Sequence, residues 1–116
     1  MTNEDQLNPD PEAPDARLPG AARHMAVEYP QPFNNSARKA SRAGPLDART
    51  RRLIHIALAI AAGSEGAAHS HTRRALAEGI SLEELEHIPV LAITTIGWSQ
   101  AIKGMTWVRD ITRRRL

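Results

Sequence analysis

The sequence predicts an all-α protein, a compact bundle of about five to six helices, and three observations predict it. Apolar residues recur at helical spacing, as in Leu82, Leu85, Ile88, Leu91 and Ile96, and no stretch alternates with period two. Helix starts and stops punctuate the chain: Asp47 and Ser81 precede periodic stretches, and Gly63, Gly79 and Gly97 follow them. The 116 residues are 41% apolar but only 3% aromatic, so the core must be built from Ala, Leu, Ile and Val. Such small side chains suit helices that approach closely. They also bury modest area per residue, a deficit that small folds often make up by oligomerising.

Taken in order, residues 1–27 read as an acidic, Pro-rich tail, disordered at least through the first 25, and residues 28–116 as one helical domain. Pro30 and Pro32 introduce a short helix from about Phe33 to Ala43, which Gly44-Pro45 ends. Asp47 then caps a helix over about 48–62, apolar at nearly every position from Leu53 to Ala62. A helix apolar all round is expected to be central and buried on several sides. Gly63 stops it, and a further helix runs from near Ser64 to about Ala77. Ser81-Leu82-Glu83-Glu84 is a capping box that opens a helix interrupted by Pro89, where a kink or a local break is expected. The last helix runs from about Ser99 to Thr112.

Net charge is +2 but unevenly placed: the first 20 residues hold five acids and one base, and the remainder holds eight acids and fourteen bases. The clusters Arg49/Arg51/Arg52, Arg73/Arg74 and Arg113/Arg114/Arg115 have no interleaved aromatic residues to stack bases. They are expected to be exposed helix faces and helix ends, not a nucleic-acid interface. There is no N-terminal apolar h-region and no apolar run of about 18 residues, so a soluble, cytoplasmic protein without membrane contact is expected. The chain has no cysteine, which excludes disulfides, thiolate metal sites and thiol nucleophiles.

Three segments in order, Leu46 to Ile54, Ala61 to His71 and Arg74 to Leu85, resemble the carboxymuconolactone decarboxylase family, which includes the alkyl hydroperoxide reductase D-type peroxidases. The pattern is Leu-Asp-x-Arg-x-Arg-x-Leu-Ile, an Ala-rich stretch ending in Gly, an Ala-Leu-x-x-Gly turn and a Ser-x-Glu-Glu box. Gly97-Trp98 followed by Gln100-Ala101-Ile102 extends the likeness, which covers roughly residues 33–112. The peroxidase branch carries Cys-x-x-Cys-x-x-x-His at the start of a helix, where the dipole activates a thiol. In this register Ser64 and Ala67 stand at the two cysteine positions, His71 at the histidine and Arg52 at a glutamate used as a proton relay. Serine cannot cycle through oxidation and alanine has no reactive group, so thiol peroxidase chemistry is excluded.

The decarboxylase branch, by resemblance, opens a small carboxylated lactone without a cofactor. That implies a lyase- or hydrolase-like reading in which His71 transfers a proton, Arg52, Arg73 or Arg74 clamps a carboxylate, and Ser64 caps the helix or helps bind an anion at its N-terminus. The alternative is a non-catalytic oligomer that binds a ligand or partner. The resemblance implies a homo-oligomer, trimer or hexamer. Neither cofactor nor metal is called for: His69 and His71 point about 200° apart on one helix. His55 could approach His71 across a helix pair, but no carboxylate motif matches that pair. Glu65 and His69, at i and i+4, are expected to touch at the surface, and His87 to lie exposed beside Glu83 and Glu84. Arg52 could equally form an interhelix ion pair. Trp98 and Trp107 are expected in the core or at a subunit contact, with pocket lining the weaker alternative.

Overall fold

Capping chemistry sets where the helices begin and end. A computed structural model of the chain describes residues 20–30 and 34–114 (for 34–36, the backbone alone). Among them are six helices and no strand: α1 Gly20–Glu28, α2 Asn34–Ser41, α3 Ala48–Ala61, α4 Glu65–Ala77, α5 Leu82–Ile96 and α6 Trp98–Thr112. No helix among the described residues is long and apolar enough to cross a membrane. The chain divides into two units, Met1–Pro45 and Leu46–Leu116.

In the first unit, α1 lies within the stretch from which composition predicted no structure. Ala21, Ala22 and Ala26 supply helix propensity without any apolar period, and α1 buries no residue. Residues 1–19, the rest of the expected tail, lie outside the described residues, as do Pro32, Phe33 and Arg115. The Lys39 ammonium pairs with Glu28 at 3.0 Å and sits 5.8 Å from the centre of the Tyr29 ring.

In the second unit, Asp47 caps α3 by accepting from the Thr50 N–H at 2.8 Å. At the other end of α3, Gly63 adopts φ +73, a left-handed turn that a Cβ would strain. There the Gly63 N–H donates to Ile60 O at 3.1 Å and the Ser64 N–H to Ala59 O at 2.9 Å, the paired bonds of a Schellman stop. The same pair recurs at Gly79, with Ile80 N–H bonded to Ala75 O. The capping box is complete, Ser81 and Glu84 each accepting from the other's backbone N–H.

Helix α5 runs on through Pro89, so the expected break is confined to the helix hydrogen bonding at that residue. Pro89 is buried and removes a single hydrogen-bond donor, a loss the packed helix absorbs.

The core is aliphatic, with Ile56, Ala59, Ile60, Ala68, Ala75, Ile80, Leu85, Ile88 and Val108 buried together. Gly104 brings α6 hard against α3: a Cβ there would stand 2.5 Å from Ile60 Cγ2. The Gln100 amide donates to Ile60 O at 2.8 Å across the same contact. Glu86 ties α5 to the end of α6, accepting from Thr112 Oγ1 at 2.7 Å and from the Arg113 fork at 3.0 and 3.1 Å. The Arg113 guanidinium holds the Glu86 carboxyl down to about 2.

One expectation about packing needs correction, and a second holds for one tryptophan of the two. Helix α3 is buried on one side only, because α4, α5 and α6 cover Ile56, Ala59 and Ile60 but leave Ile54 and Leu58 exposed. Trp107 packs against the core as expected, whereas Trp98, at the first position of α6, is 65% exposed and so lies outside the core of the protomer. Trp98 lines a shallow groove between α5 and α6 together with Val90, Ile93 and Ile102.

Candidate functional site

The predicted residues meet where α3 packs on α4. Arg52 lies in the second turn of α3, and His71 lies midway along α4. The Arg52 Nη1 and the His71 Nδ1 are 2.7 Å apart. Arginine has no acceptor, so the guanidinium must donate and the Nδ1 lone pair must accept. The proton of neutral His71 therefore sits on Nε2. That atom has no hydrogen-bond partner among the described residues and is not sealed from solvent.

A carboxylate orients Arg52. Its Nε donates to Glu78 Oε1 at 3.0 Å and its Nη2 to Glu78 Oε2 at 2.8 Å, a bidentate fork. Glu78 is the C-cap residue of α4, where the helix dipole is unfavourable to an anion. The fork offsets that, lowering the Glu78 carboxyl and raising the Arg52 guanidinium from their ordinary values.

The His71 ring is half-buried and its pKa is lowered from 6.5. Burial is the largest cause, followed by the cationic forms of His55, Arg52 and Arg74, with Glu78 opposing. The His55 ring, also on α3, lies 5.0 Å from the His71 ring at a 33° tilt. A proton on His71 would have to displace the Arg52 donor and face a second imidazole. The site therefore holds an imidazole in its neutral form, able to donate through Nε2.

Of the predicted residues, the structure joins Arg52 and His71 directly and brings Arg74 near enough to act on the ring. It does not join Ser64 or Arg73 to them. Ser64 is the N-cap residue of α4, but its hydroxyl makes no capping bond. Both residues are exposed, and neither has a hydrogen bond to His71. The approach of His55 to His71 was legible in the sequence, and so was an interhelix ion pair for Arg52. Glu78 was missed. Its signal was local: an acid immediately before the Gly79 stop sits at the wrong end of a helix dipole and needs a cation from elsewhere.

Two other histidines settle differently. His69 reaches Asp110 on α6 at 2.9 Å and Glu65 only at 3.9 Å. His87 is exposed and lines an apolar groove of about 550 Å³ between α3 and α5, with Leu53, Ile54, Leu58, Ile88 and Leu91. His71 lines neither this groove nor the one beside Trp98.

A family model described as the carboxymuconolactone decarboxylase family matches residues 27–110. No curated protein and no solved structure matches the chain.

Proposed function

The chain belongs to the carboxymuconolactone decarboxylase family, and we propose that it acts as a cofactor-free lyase or hydrolase on a small carboxylated, lactone-type molecule, with His71 as the proton-transfer residue. The observation that carries this reading is the 2.7 Å contact from Arg52 to His71 Nδ1. It fixes a neutral ring with Nε2–H outward, which suits an electrophile rather than a base. When a carboxylate leaves as carbon dioxide, the electron pair of the broken C–C bond moves onto the conjugated carbonyl oxygen. The His71 Nε2–H would stabilise that oxygen and pass its proton to the product as Nε2 takes a replacement proton from solvent, leaving the ring neutral. Arg52 is engaged by Glu78 and serves as a positioning residue for the ring. Arg74, exposed beside the site, is the better placed clamp for a substrate carboxylate, with Arg73 and Ser64 further from the ring chemistry.

Thiol peroxidase activity has no part in this reading, since the chain has no cysteine. Assembly as a homo-oligomer, trimer or hexamer, belongs to the same proposal. It is supported by the apolar surface at Leu58, Leu91, Trp98 and Ile102, which an oligomer would cover. Light scattering on the full chain checks it, and a single-protomer mass at working concentrations rejects it.

The activity test is a panel of small lactones and carboxylic acids turned over by wild type, His71→Ala and His71→Gln. Loss of about 100-fold or more in His71→Ala on one substrate is expected for a proton-transfer group. Equal background rates for all three proteins would end the enzyme reading. The second reading, a non-catalytic ligand- or partner-binding oligomer, would then stand. It is favoured by the placement of His71 outside both grooves.

A further inference from the structure

At the edge where α4 packs on α6, three metal-ligating side chains converge independently of His71. Glu65 and His69 are spaced i and i+4 on α4, so they share a face. Asp110 comes from the last turn of α6. One donor atom from each lies within 4.8 Å of the other two. The His69 Nε2 is 2.9 Å from Asp110 Oδ2 and 3.9 Å from Glu65 Oε2. Tetrahedral zinc with ligand bonds of about 2.0–2.2 Å holds its donors about 3.4 Å apart. The present spacings bracket that value, so small side-chain rotations would close the set.

The charge around this cluster is the second observation. The chain has more bases than acids, and Glu28, Glu78, Glu84 and Glu86 each pair with an arginine or lysine. Glu65 and Asp110 pair with neither among the described residues; their one ion-pair neighbour is His69. Two carboxylates are thus left on one imidazole while guanidinium groups engage acids elsewhere. The carbonyl end of α6 adds negative potential beside Asp110. The His55–His71 pair lacks these features, because Arg52 donates into His71 Nδ1 and holds the nearby Glu78.

We propose that Glu65, His69 and Asp110 form a divalent transition-metal site of the zinc class, one imidazole nitrogen and two carboxylate oxygens, that clips α4 to α6. Imidazole favours zinc, nickel or copper over magnesium, which prefers oxygen ligands alone. The carboxylates are solvent-exposed, so water completes the coordination. Binding replaces the Nε2–H···Oδ2 hydrogen bond with a metal bond, and the displaced proton moves to Nδ1 or to solvent. Affinity therefore weakens on acidification.

The test is calorimetric titration of the full chain with zinc chloride and with magnesium chloride, paired with thermal melting. One zinc per protomer and a higher Tm are expected, with magnesium inert. His69→Ala, Asp110→Asn and Glu65→Gln should each lose at least about tenfold in zinc affinity. His55→Ala and His87→Ala should lose none. Circular dichroism checks that each variant is folded, and zinc-induced shifts of the His69 ring nitrogens in the wild type locate the ion without any variant. Zinc binding that survives all three ligand substitutions, or that disappears in His55→Ala, overturns the proposal. So does no zinc binding by the folded wild type.

Discussion

The two flanks of α3 have opposite characters. Toward α4, Arg52 meets Glu78 and His71 in a hydrogen-bonded set that satisfies every charge it buries. Toward α5, Ile54, Leu58 and Leu91 line an apolar groove, with Leu58 58% and Leu91 60% exposed. Both flanks come from one helix whose sequence is apolar almost throughout its second half. The difference lies in what each neighbour supplies: α4 brings a histidine and an acid, whereas α5 brings aliphatic groups that do not close the gap. The polar flank thus pairs its charges within this unit and leaves the His71 Nε2–H open. The apolar flank is the one left for something else to cover.

The buried strip between the two flanks should be the most sensitive to change. Ile60→Ala removes a fully buried side chain and should cost about 2–5 kcal/mol in urea unfolding, by lost burial and a residual cavity. Gly104→Ala should come next. Its Cβ would press on Ile60, and overpacking of this kind costs about 1–3 kcal/mol, read as a lower denaturation midpoint. If either change proves neutral, the contact of α3 with α6 is looser than the comparison requires.

On the polar flank, Arg52→Met should cost about 1 kcal/mol or less at neutral pH, since Glu78 is half exposed. Its clearer effect is on His71, whose pKa should rise once a neighbouring cation is gone. Nitrogen NMR of the ring checks this and should also show Nδ1 released from its acceptor role. The sign carries over to stability. A histidine with a lowered pKa takes up its proton more readily when unfolded. Wild-type stability should therefore fall as pH drops below about 6.5 and level off once the folded ring also protonates. Arg52→Met should fall less over that range. An unchanged pKa would mean that Arg52 has no part in setting it, leaving burial, His55 and Arg74.

The smallest effect is expected on the apolar flank. Leu58→Ser should change the unfolding free energy of the isolated protomer by no more than about 0.5 kcal/mol, because the side chain is already largely wet. A loss as large as that of Ile60→Ala would show that the groove is covered in solution.

How much was legible beforehand depended on the range of the forces involved. Asp47, Gly63, Gly79 and the Ser81–Glu84 box act over a few residues, and the helix limits they imply agree with those observed. The family is carried by such local features in order along the chain, which is why it was readable without contacts and why the match over residues 27–110 agrees. Helix α1 was missed because alanine-driven propensity leaves no apolar period. The one-sided burial of α3 was missed because an all-apolar run does not say which neighbours arrive. In the site, His71 and Arg52 were placed by register, but the direction of their hydrogen bond was not. A charge-reversed partner turns Nδ1 into an acceptor, and only the packing of α3 on α4 brings the two within reach.

The sequence by itself determined helices α2 to α6, the Asp47 and Ser81 caps and the glycine stops that bound them, and the absence of any thiol. Those are matters of covalent identity and of interactions within a turn or two. The tertiary structure decided that Glu78 holds Arg52, that Arg52 donates to His71 Nδ1, and that Asp110 rather than Glu65 is the close partner of His69. Each of those pairs, apart from the His69–Glu65 spacing, joins residues at least 19 positions apart, where only helix packing sets the distance.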